Sequence, residues 1–350
     1  MSMQTTTACH LRWRRESKFL LLVALALCFS SAHSYEVRAK DFVRFDNSCT
    51  HESLARAAEH CLTGLICTVR AECDVAPYGK FGRGVRWNDD PLKFLDYGSR
   101  YIEFGRAMAY GKKVAAKSPL RIDVRWSSIY RSHFGDLQFL HAMARQEHEL
   151  AGETREKMLV WAEFTYGVWG GEIPLETKLS AVQVEGVADL FRGKDWTVRS
   201  LFSMNCETAE RDCKDPGYDA QIVRDTALGS LLHMIQDSYS GGHTERGKPT
   251  IEERENGRRV DFGAIRRFHS YARQDDELHK RSDARPAWTE STLLLEGHNP
   301  LIDSVLVLQR AGLDPARPAL DWTQMREFLI SGPLKIDDPM APADYSVTQF

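Results

Sequence analysis

The sequence predicts an all-α fold in a single multi-helix domain. Apolar residues recur at helical spacing in several long segments, whereas the alternation typical of strands is scarce. Residues 218–239 carry the clearest helical pattern, because Ala227, Leu231 and Ile235 lie about one turn apart. No internal repeat or low-complexity linker divides the chain, so we expect one large domain.

Further helices are predicted along the chain, at residues 51–62, 90–116, 137–145, 152–166, 261–283 and 321–330. Residues 121–126 alone show strand-like alternation. Three stretches rich in glycine and proline predict surface loops, at residues 74–86, 169–174 and 297–301. The last ~15 residues, which are acidic and contain two prolines, are expected to form a loose tail.

The first 34 residues predict a cleaved signal peptide. Residues 11–18 are basic, residues 19–29 are an unbroken apolar run, and residues 30–34 are mostly small. The apolar run is shorter than the roughly 20 residues of a membrane-spanning helix. Cleavage before Tyr35 would leave residues 35–350 in the periplasm or outside the cell. An uncleaved anchor and lipidation at Cys28 are the less favoured alternatives.

Cysteine usage agrees with export. Six cysteines follow the signal peptide, and an even number in an oxidising compartment predicts disulfides. The closely spaced Cys206 and Cys213 are the best candidate pair, and the cysteines of residues 49–73 are expected to pair among themselves. No glycosylation sequon occurs, which favours a bacterial source over a eukaryotic secretory route.

Candidate metal ligands are concentrated in residues 231–246. His233 and Asp237 stand four apart in the strongest helical pattern, so imidazole and carboxylate share one helix face and can meet one ion. A double glycine then ends the helix, and this break can return His243 to the same region. Apolar neighbours predict that His233 is buried, and buried polar groups need partners, which a divalent cation supplies. An ordinary hydrogen bond on the helix surface is the alternative.

A second pair, His279 and Asp283, repeats the spacing of His233 and Asp237. Two such helices facing each other across a core would build a binuclear site of nitrogen and oxygen ligands. Taken alone, the second pair fits a charged, solvated helix better than a metal site.

Three other places offer further ligands. Asp89 lies at the entry of a helix, where capping is the alternative role. His141 lies on an apolar face, with His133 and Asp136 just upstream as competing candidates. His51 begins the first predicted helix, where it could also be exposed.

Together these spacings resemble the superfamily of zinc-dependent phospholipases C and S1/P1-type nucleases. The most specific part is His233-x3-Asp237-x5-His243, and the later His279-x3-Asp283 resembles the last His-x3-Asp/Glu pair of that superfamily. The resemblance is one of ligand spacing, scattered over residues 51–283, and not of overall identity.

The other candidates fit the same resemblance. Asp89, in Trp87-Asn88-Asp89, resembles an early carboxylate in a Trp-x-Asp motif. His141 fits the partner histidine of that carboxylate, although the gap from Asp89 to His141 is long. His51 resembles an N-terminal histidine ligand.

The resemblance implies a helical fold and up to three zinc ions with open positions for water and substrate. The implied ligands are Asp89, His141, His233 and Asp237 for one zinc, His243, His279 and Asp283 for a second, and His51 for a third, with Asp237 bridging. In the superfamily the mature N-terminal residue, commonly Trp, also binds a zinc. Tyr35 would stand in that place here.

The resemblance implies hydrolysis of phosphoric esters by a metal-activated water. Asp89 would be a ligand or would orient that water, and Gln236 and Glu245 are candidates for orienting the imidazoles. The expected substrate is a phospholipid headgroup, because the formal net charge of −3 at pH 7 argues against a stable nucleic-acid partner.

Two alternative functions stay open at the level of sequence. The first is an S1/P1-like single-strand nuclease, for which Tyr166, Trp169 and Tyr239 could provide stacking platforms. The second is a non-catalytic exported helical protein. The sequence gives no signal for an oligomeric state or for a transmembrane segment.

Overall fold

The computed structural model describes residues 50–62, 79–94, 101–203, 219–283 and 294–347. These residues contain eleven α-helices and five short strands, joined by loops and short 3₁₀ turns. All of these residues belong to one compact unit. The predicted signal peptide, Tyr35, and the candidate pair Cys206 and Cys213 lie outside them. Cys61 is the cysteine that the described ranges contain, and it is disulfide-bonded. All other cysteines lie outside these ranges.

The protein is mostly helical, as the sequence predicts. The helices are α1 (Thr50–Leu62), α2 (Gly82–Trp87), α3 (Tyr101–Ala115), α4 (Ser128–Phe134), α5 (Ala151–Gly170), α6 (Val187–Leu190), α7 (Val198–Phe202), α8 (Ala220–Asp237), α9 (Asp276–Asp283), α10 (Pro300–Leu308) and α11 (Trp322–Ser331). The strands are β1 (Thr244–Arg246), β2 (Thr250–Arg254), β3 (Gly257–Asp261), β4 (Ile265–Phe268) and β5 (Leu294–Glu296). No described helix is long and apolar enough to cross a membrane.

Helix α8 is the centre of the main apolar core. Asp219 caps it by accepting a hydrogen bond from the backbone N–H of Ile222. From Thr226 to Asp237 every residue is buried, because α1, α2, α5 and α10 surround the helix. A helix apolar on all sides belongs in such a position, and its polar residues His233 and Asp237 are carried into the interior with it.

Helices α2 and α8 approach each other closely at two glycines. A Cβ on Gly84 would lie 2.5 Å from the Cα of Gly229, and a Cβ on Gly229 would lie 2.6 Å from the Cα of Gly84. Any side chain at either position would push the helices apart. This contact fixes Asp89, two residues beyond the end of α2, beside the ligand-bearing half of α8.

A second, smaller apolar core lies between α3, α4 and the segment that precedes α9. Phe104 and Met108 of α3 pack with Phe134 of α4 and with Tyr271. Helix α3 is also tied to α9, because Lys112 pairs with Asp276.

The strands form two small sheets. β1 pairs antiparallel with β4, and β2, β3 and β5 form a three-stranded sheet in that order. The hairpin of β2 and β3 turns at Glu255 and Asn256 and re-enters the sheet at Gly257. Asn256-Gly257 is a strong hairpin signal in the sequence. This signal was not used, and no hairpin was predicted here.

Several predicted elements differ from the structure. Residues 261–283 contain β4, a 3₁₀ turn and α9 instead of one helix, because Ile265–Phe268 pairs with β1. Residues 137–145 hold only a 3₁₀ turn at Gln138–His141, which ends where Ala142 has a left-handed φ of 49°. Residues 121–126 form turns and not a strand, and in the predicted helix 90–116 the described helical part is Tyr101–Ala115.

The C-terminal residues 336–347, for which the sequence favours a loose tail, are bonded to the body. Isolated bridges join Ile336 to Ile265 and Asp344 to His269. The backbone N–H of Ala343 donates to the carbonyl of Glu149 over 2.9 Å. We call residues 336–347 the C-terminal strap.

Candidate metal centre

Nine buried side chains form three groups that could hold metal ions, and the ligand atoms of each group lie within 4.8 Å of one another. The groups are His51, His233 and Asp237; Asp89, His133 and His141; and His243, His279 and Asp283. The exposed fraction of every one of these residues is 8% or less. They include all eight ligands predicted from the sequence and add one, His133.

The first group is built on α8 and α1. His233 Nε2 lies 2.9 Å from Asp237 Oδ2, as the four-residue spacing predicts. His51 stacks on the His233 ring with 3.8 Å between centroids, and its Nε2 lies 3.2 Å from Asp237 Oδ1. Two hydrogen bonds fix the ring orientations: His51 Nδ1 donates to Gln236 Oε1 over 2.7 Å, and His233 Nδ1 donates to the carbonyl of Val85.

The second group joins α4 to the end of α2. Asp89 Oδ1 lies 3.8 Å from His141 Nδ1, while His141 Nδ1 lies 2.9 Å from Asp237 Oδ2. His141 therefore connects this group to the first. The ring of His133 is 5.0 Å from that of His141, and its Nδ1 contacts the carbonyl of Ile129 over 3.1 Å.

His133 was one of two alternatives upstream of His141, and the structure separates them. Asp136 accepts two hydrogen bonds from Arg131, each of 2.9 Å, and does not join the groups. His133 and His141 both belong to the second group. The sequence could not rank these candidates because the short helix α4, which carries His133 inward, was not among the predicted helices.

The third group brings α9 against the turn after α8. His279 Nε2 lies 2.9 Å from Asp283 Oδ2, and His243 Nε2 lies 3.4 Å from Asp283 Oδ1. The two imidazoles stack with 5.1 Å between centroids. His279 Nδ1 donates to Gln274 Oε1 over 2.6 Å, which fixes that ring. The side of α9 that carries His279 and Asp283 is thus buried, although most residues of this helix are charged.

Asp237 is the junction of the centre. Its two carboxylate oxygens lie within 3.5 Å of ring nitrogens of His51, His141, His233 and His243. One carboxylate in contact with four imidazoles can bridge two cations. The other residue named for orienting imidazoles, Glu245, faces Arg267 instead.

Burial and neighbouring charges set the protonation of the candidate ligands differently from group to group. Burial lowers the pKa of His233 to about 3 and also lowers the pKa of His141. Burial alone would raise the pKa of Asp237, but the surrounding imidazoles hold it well below its ordinary value. Burial would lower the pKa of His243, but Asp237 and Asp283 raise it to about 9. Neutral imidazoles and ionised carboxylates are the forms that bind metals, so His233, His141 and Asp237 are ready for ligation, whereas His243 would release a proton when a cation enters.

A small cavity of about 10 Å³ separates the second and third groups. Its walls are Ser132, His133, His141, Met143, His243, Tyr271 and His279. This volume matches roughly one water molecule. A small oxygen species placed here would be within reach of ligands from two groups.

The donor set suits a borderline divalent cation such as zinc, which accepts imidazole nitrogen and carboxylate oxygen. Asp237 Oδ1, His243 Nε2 and Asp283 Oδ2 are buried without a hydrogen bond among the described residues. Buried atoms of this kind call for a further partner, and a cation in the first group and another in the third would provide it.

Aromatic platforms expected for a nuclease are not presented by the three candidate residues. Tyr239 is 2% exposed and donates to Asp303. Tyr166 donates to the carbonyl of Leu320 over 2.7 Å, and the indole of Trp169 donates to the carbonyl of Ala311 over 2.9 Å. Tyr166 and Tyr239 are thus buried packing residues, and Trp169 is partly buried against the main core.

No family model, curated protein or solved structure matches the chain.

Proposed function

We propose that this chain is an exported zinc-dependent phosphodiesterase of the phospholipase C/P1 nuclease type, which hydrolyses phospholipid headgroups in the manner of a phospholipase C. One observation supports the proposal above all others. Three buried His/Asp groups lie next to one another and share contacts through Asp237 and His141. A structural zinc needs one closed set of four ligands, whereas several adjacent groups of three leave positions for water and substrate.

Zinc ions in these groups would lower the pKa of bound water and offset the charge that develops on the phosphate oxygens. The protein's own contribution is positioning. Asp237 holds four imidazoles in one place, and backbone carbonyls together with Gln236 and Gln274 fix the ring orientations. His133, Ser132 and Tyr271 line the cavity between the groups and limit the water that enters it.

Asp89 has a separate role in this proposal. Its two oxygens each lie 3.8 Å from an imidazole, at His141 and His233, which is farther than the contacts of Asp237. A carboxylate at that distance can bind a cation as a third ligand or accept a hydrogen bond from the attacking water. Asp89→Asn would separate the roles: retained zinc with lost hydrolysis indicates orientation of the water, and lost zinc indicates ligation.

A phospholipid is favoured as substrate over single-stranded nucleic acid. The proposed stacking residues are packed, and the net charge of −3 at pH 7 does not attract a polyanion. A direct comparison of hydrolysis of phosphatidylcholine and of single-stranded DNA by the same preparation decides between them. Faster turnover of DNA would overturn the choice of substrate and leave the metal chemistry in place.

The metal assignment is tested with His233→Ala and Asp237→Ala. We expect each variant to lose zinc and all phosphodiesterase activity, because each removes a ligand from the junction of the groups. Zinc per chain is measured by atomic emission after dialysis, and circular dichroism monitors folding. His148→Ala, which changes an exposed histidine outside the groups, is the matched control and should keep both. Full zinc content in both variants would overturn the assignment.

A further inference from the structure

Helix α3 presents an unusual face to solvent. Ile102 and Tyr110 are each 54% exposed, and Leu120, just beyond the helix, is 52% exposed. Only five large hydrophobic side chains are exposed among the described residues, so this short segment holds most of them. Single exposed apolar residues need no explanation, but three of them within residues 102–120 make this segment the strongest candidate for an interaction surface among the described residues.

The same face is cationic. Arg106 and Lys113 lie at helical spacing from Ile102, and Lys117 and Arg121 follow. Residues 102–130 contain six basic and two acidic residues, in a chain whose net charge is −3. Lys112 pairs with Asp276 on the inner side and Arg125 pairs with Asp123, so four cations and Glu103 remain. The segment is therefore a local positive patch on a mildly acidic protein.

Aromatic side chains complete the surface. Tyr110 stacks on Trp126 with 6.1 Å between ring centroids, and Tyr130 meets Trp126 edge-on at 5.4 Å. Beside them lies an open cavity of about 400 Å³, whose walls are Phe94, Glu103, Arg106, Ala107, Tyr110, Ser127, Ile129 and Tyr130. This volume is in the range of small-ligand sites. Tyrosine and tryptophan rings favour the boundary between water and lipid.

The inner side of the same helix covers the candidate metal centre. The ring of Phe104 lies 6.4 Å from that of His133. Lys112 Nζ donates to the carbonyl of Gln274 over 3.0 Å, and Gln274 fixes His279. The exposed face and the metal ligands are thus separated by the thickness of one helix.

We propose that the outer face of α3 and the turn after it, with Ile102, Tyr110, Leu120, Lys113 and Lys117, docks the protein on an anionic phospholipid bilayer. Aliphatic and aromatic side chains would enter the headgroup region while the cations contact acidic lipids. The inference rests on the proposed function, since it supplies the surface on which a phospholipase C would meet its substrate.

Lipid is favoured over nucleic acid by the side chains themselves. A single strand is bound by stacking on aromatic rings and by cations, and exposed isoleucine and leucine add nothing to such a site. In contrast, an interfacial helix needs aliphatic residues on the side that carries its lysines. A second copy of this chain would bring one cationic face against another and incur their mutual repulsion.

The experiment is sedimentation with vesicles of phosphatidylcholine, with and without phosphatidylserine, using the full chain and no added substrate. We expect binding to the acidic vesicles that weakens as salt is added. Lys113→Gln with Lys117→Gln should weaken it by about fivefold for each cation removed. Ile102→Ser with Leu120→Ser should reduce it at least as much.

Matched controls lie elsewhere on the surface. Ile251→Ser changes another exposed isoleucine, which is 45% exposed on β2, and Lys248→Gln with Lys335→Gln removes two exposed charges away from α3. These variants should bind as the parent does. Equal binding by the α3 variants and the controls would overturn the proposal, as would tighter binding of single-stranded DNA than of acidic vesicles at the same salt concentration.

Failure of the docking surface and failure of the proposed function give different results. Vesicle binding needs no catalysis, so it is measured equally well with Asp237→Ala. For the active protein we expect the α3 variants to lose hydrolysis of vesicle lipid and to keep hydrolysis of a water-soluble short-chain phosphatidylcholine. Unaltered hydrolysis of vesicle lipid by both double variants would overturn docking while leaving the phospholipase assignment intact.

Discussion

At the scale of single residues, Gly242, the second glycine after α8, has a role beyond the one that the sequence predicts. The sequence predicts that the glycines end the helix and return His243 to the site. In the structure, a Cβ at Gly242 would lie 2.9 Å from His279 Nδ1 and 3.1 Å from Asp283 Oδ1. Gly242 is therefore required because the turn runs directly against two ligands from another part of the chain.

We predict that Gly242→Ala lowers zinc retention more than it lowers stability. The added methyl group displaces His279 or Asp283 and leaves the apolar core intact. Zinc per chain after dialysis and the thermal unfolding temperature are the two measurements. Gly263→Ala is the control, since a Cβ there meets nothing within 4 Å. Unchanged zinc affinity in Gly242→Ala would show that the third group tolerates the displacement.

Eight of the nine side chains that form the three groups could be named from the sequence as candidate ligands, but their grouping could not be predicted. Spacing within one helix brings His233 to Asp237 and His279 to Asp283, because four residues make about one helical turn. The contacts of His51 with Asp237 and of Asp89 with His141 join segments far apart in the chain. Such contacts depend on helix packing, which no local pattern encodes. His133 stayed an unranked alternative because the helix that carries it inward was not predicted.

At the scale of elements, the crossing of α2 and α8 sets the geometry of the first two groups. Gly84 and Gly229 let the helices touch backbone to backbone. Just beyond α2, Asn88 donates a hydrogen bond to the carbonyl of Leu140, in the 3₁₀ turn, over 2.7 Å. Its Oδ1 accepts a hydrogen bond from Ser230 over 2.5 Å. Asp89 is held in place by this arrangement and not by a helical position of its own.

We predict that Gly229→Ala destabilises the protein by about 1–3 kcal/mol, the range for overpacking a close contact. It should also weaken zinc binding, because α2 must move and carry Asp89 with it. Urea unfolding gives the free energy of unfolding, and zinc competition with a chelator gives the affinity. Gly263→Ala again serves as the control. A loss of stability without any change in affinity would mean that Asp89 does not depend on the helix crossing.

Strand β4 and helix α8 show which elements the sequence could predict. β4 forms because β1 offers a partner strand, and the residues of β4 do not alternate strictly between buried and exposed. The helix α8 was predicted within two residues at each end, because an apolar segment with a capping Asp219 carries its own signal. Periodicity was not sufficient everywhere, since α10 was missed although Asn299 caps it, and residues 137–145 hold only a 3₁₀ turn.

At the scale of the whole molecule, the C-terminal strap contributes stability that depends on pH. Burial would raise the pKa of Asp344, but hydrogen bonds from His269, Ser346 and Arg267 hold it well below its ordinary value. A carboxyl with a lowered pKa in the folded state stabilises that state at all pH values above its unfolded pKa, near 4. The contribution is lost as pH falls from there through the folded pKa.

We predict that Asp344→Asn flattens the loss of stability below about pH 4. The variant lacks the charged hydrogen bonds at neutral pH, so its deficit should be largest there and shrink in acid. Free energies of unfolding in urea at several pH values measure the effect. Asp195→Asn, at a position that is 83% exposed, should follow the parent curve. A deficit independent of pH would show that the carboxylate charge is not what secures the strap.

The side-chain amide of Gln274 links the strap to the ligands. Its Nε2 donates to the carbonyls of Gly242 and Ser346, over 2.7 and 2.8 Å, while its Oε1 accepts from His279. The strap therefore bears on a centre to which it supplies no ligand. Loosening of the strap would remove the hydrogen bond at Ser346 and leave Gln274 freer to turn away from His279. A change made only in the strap would then be felt as a change in cation affinity, and acid that protonates Asp344 would weaken both together.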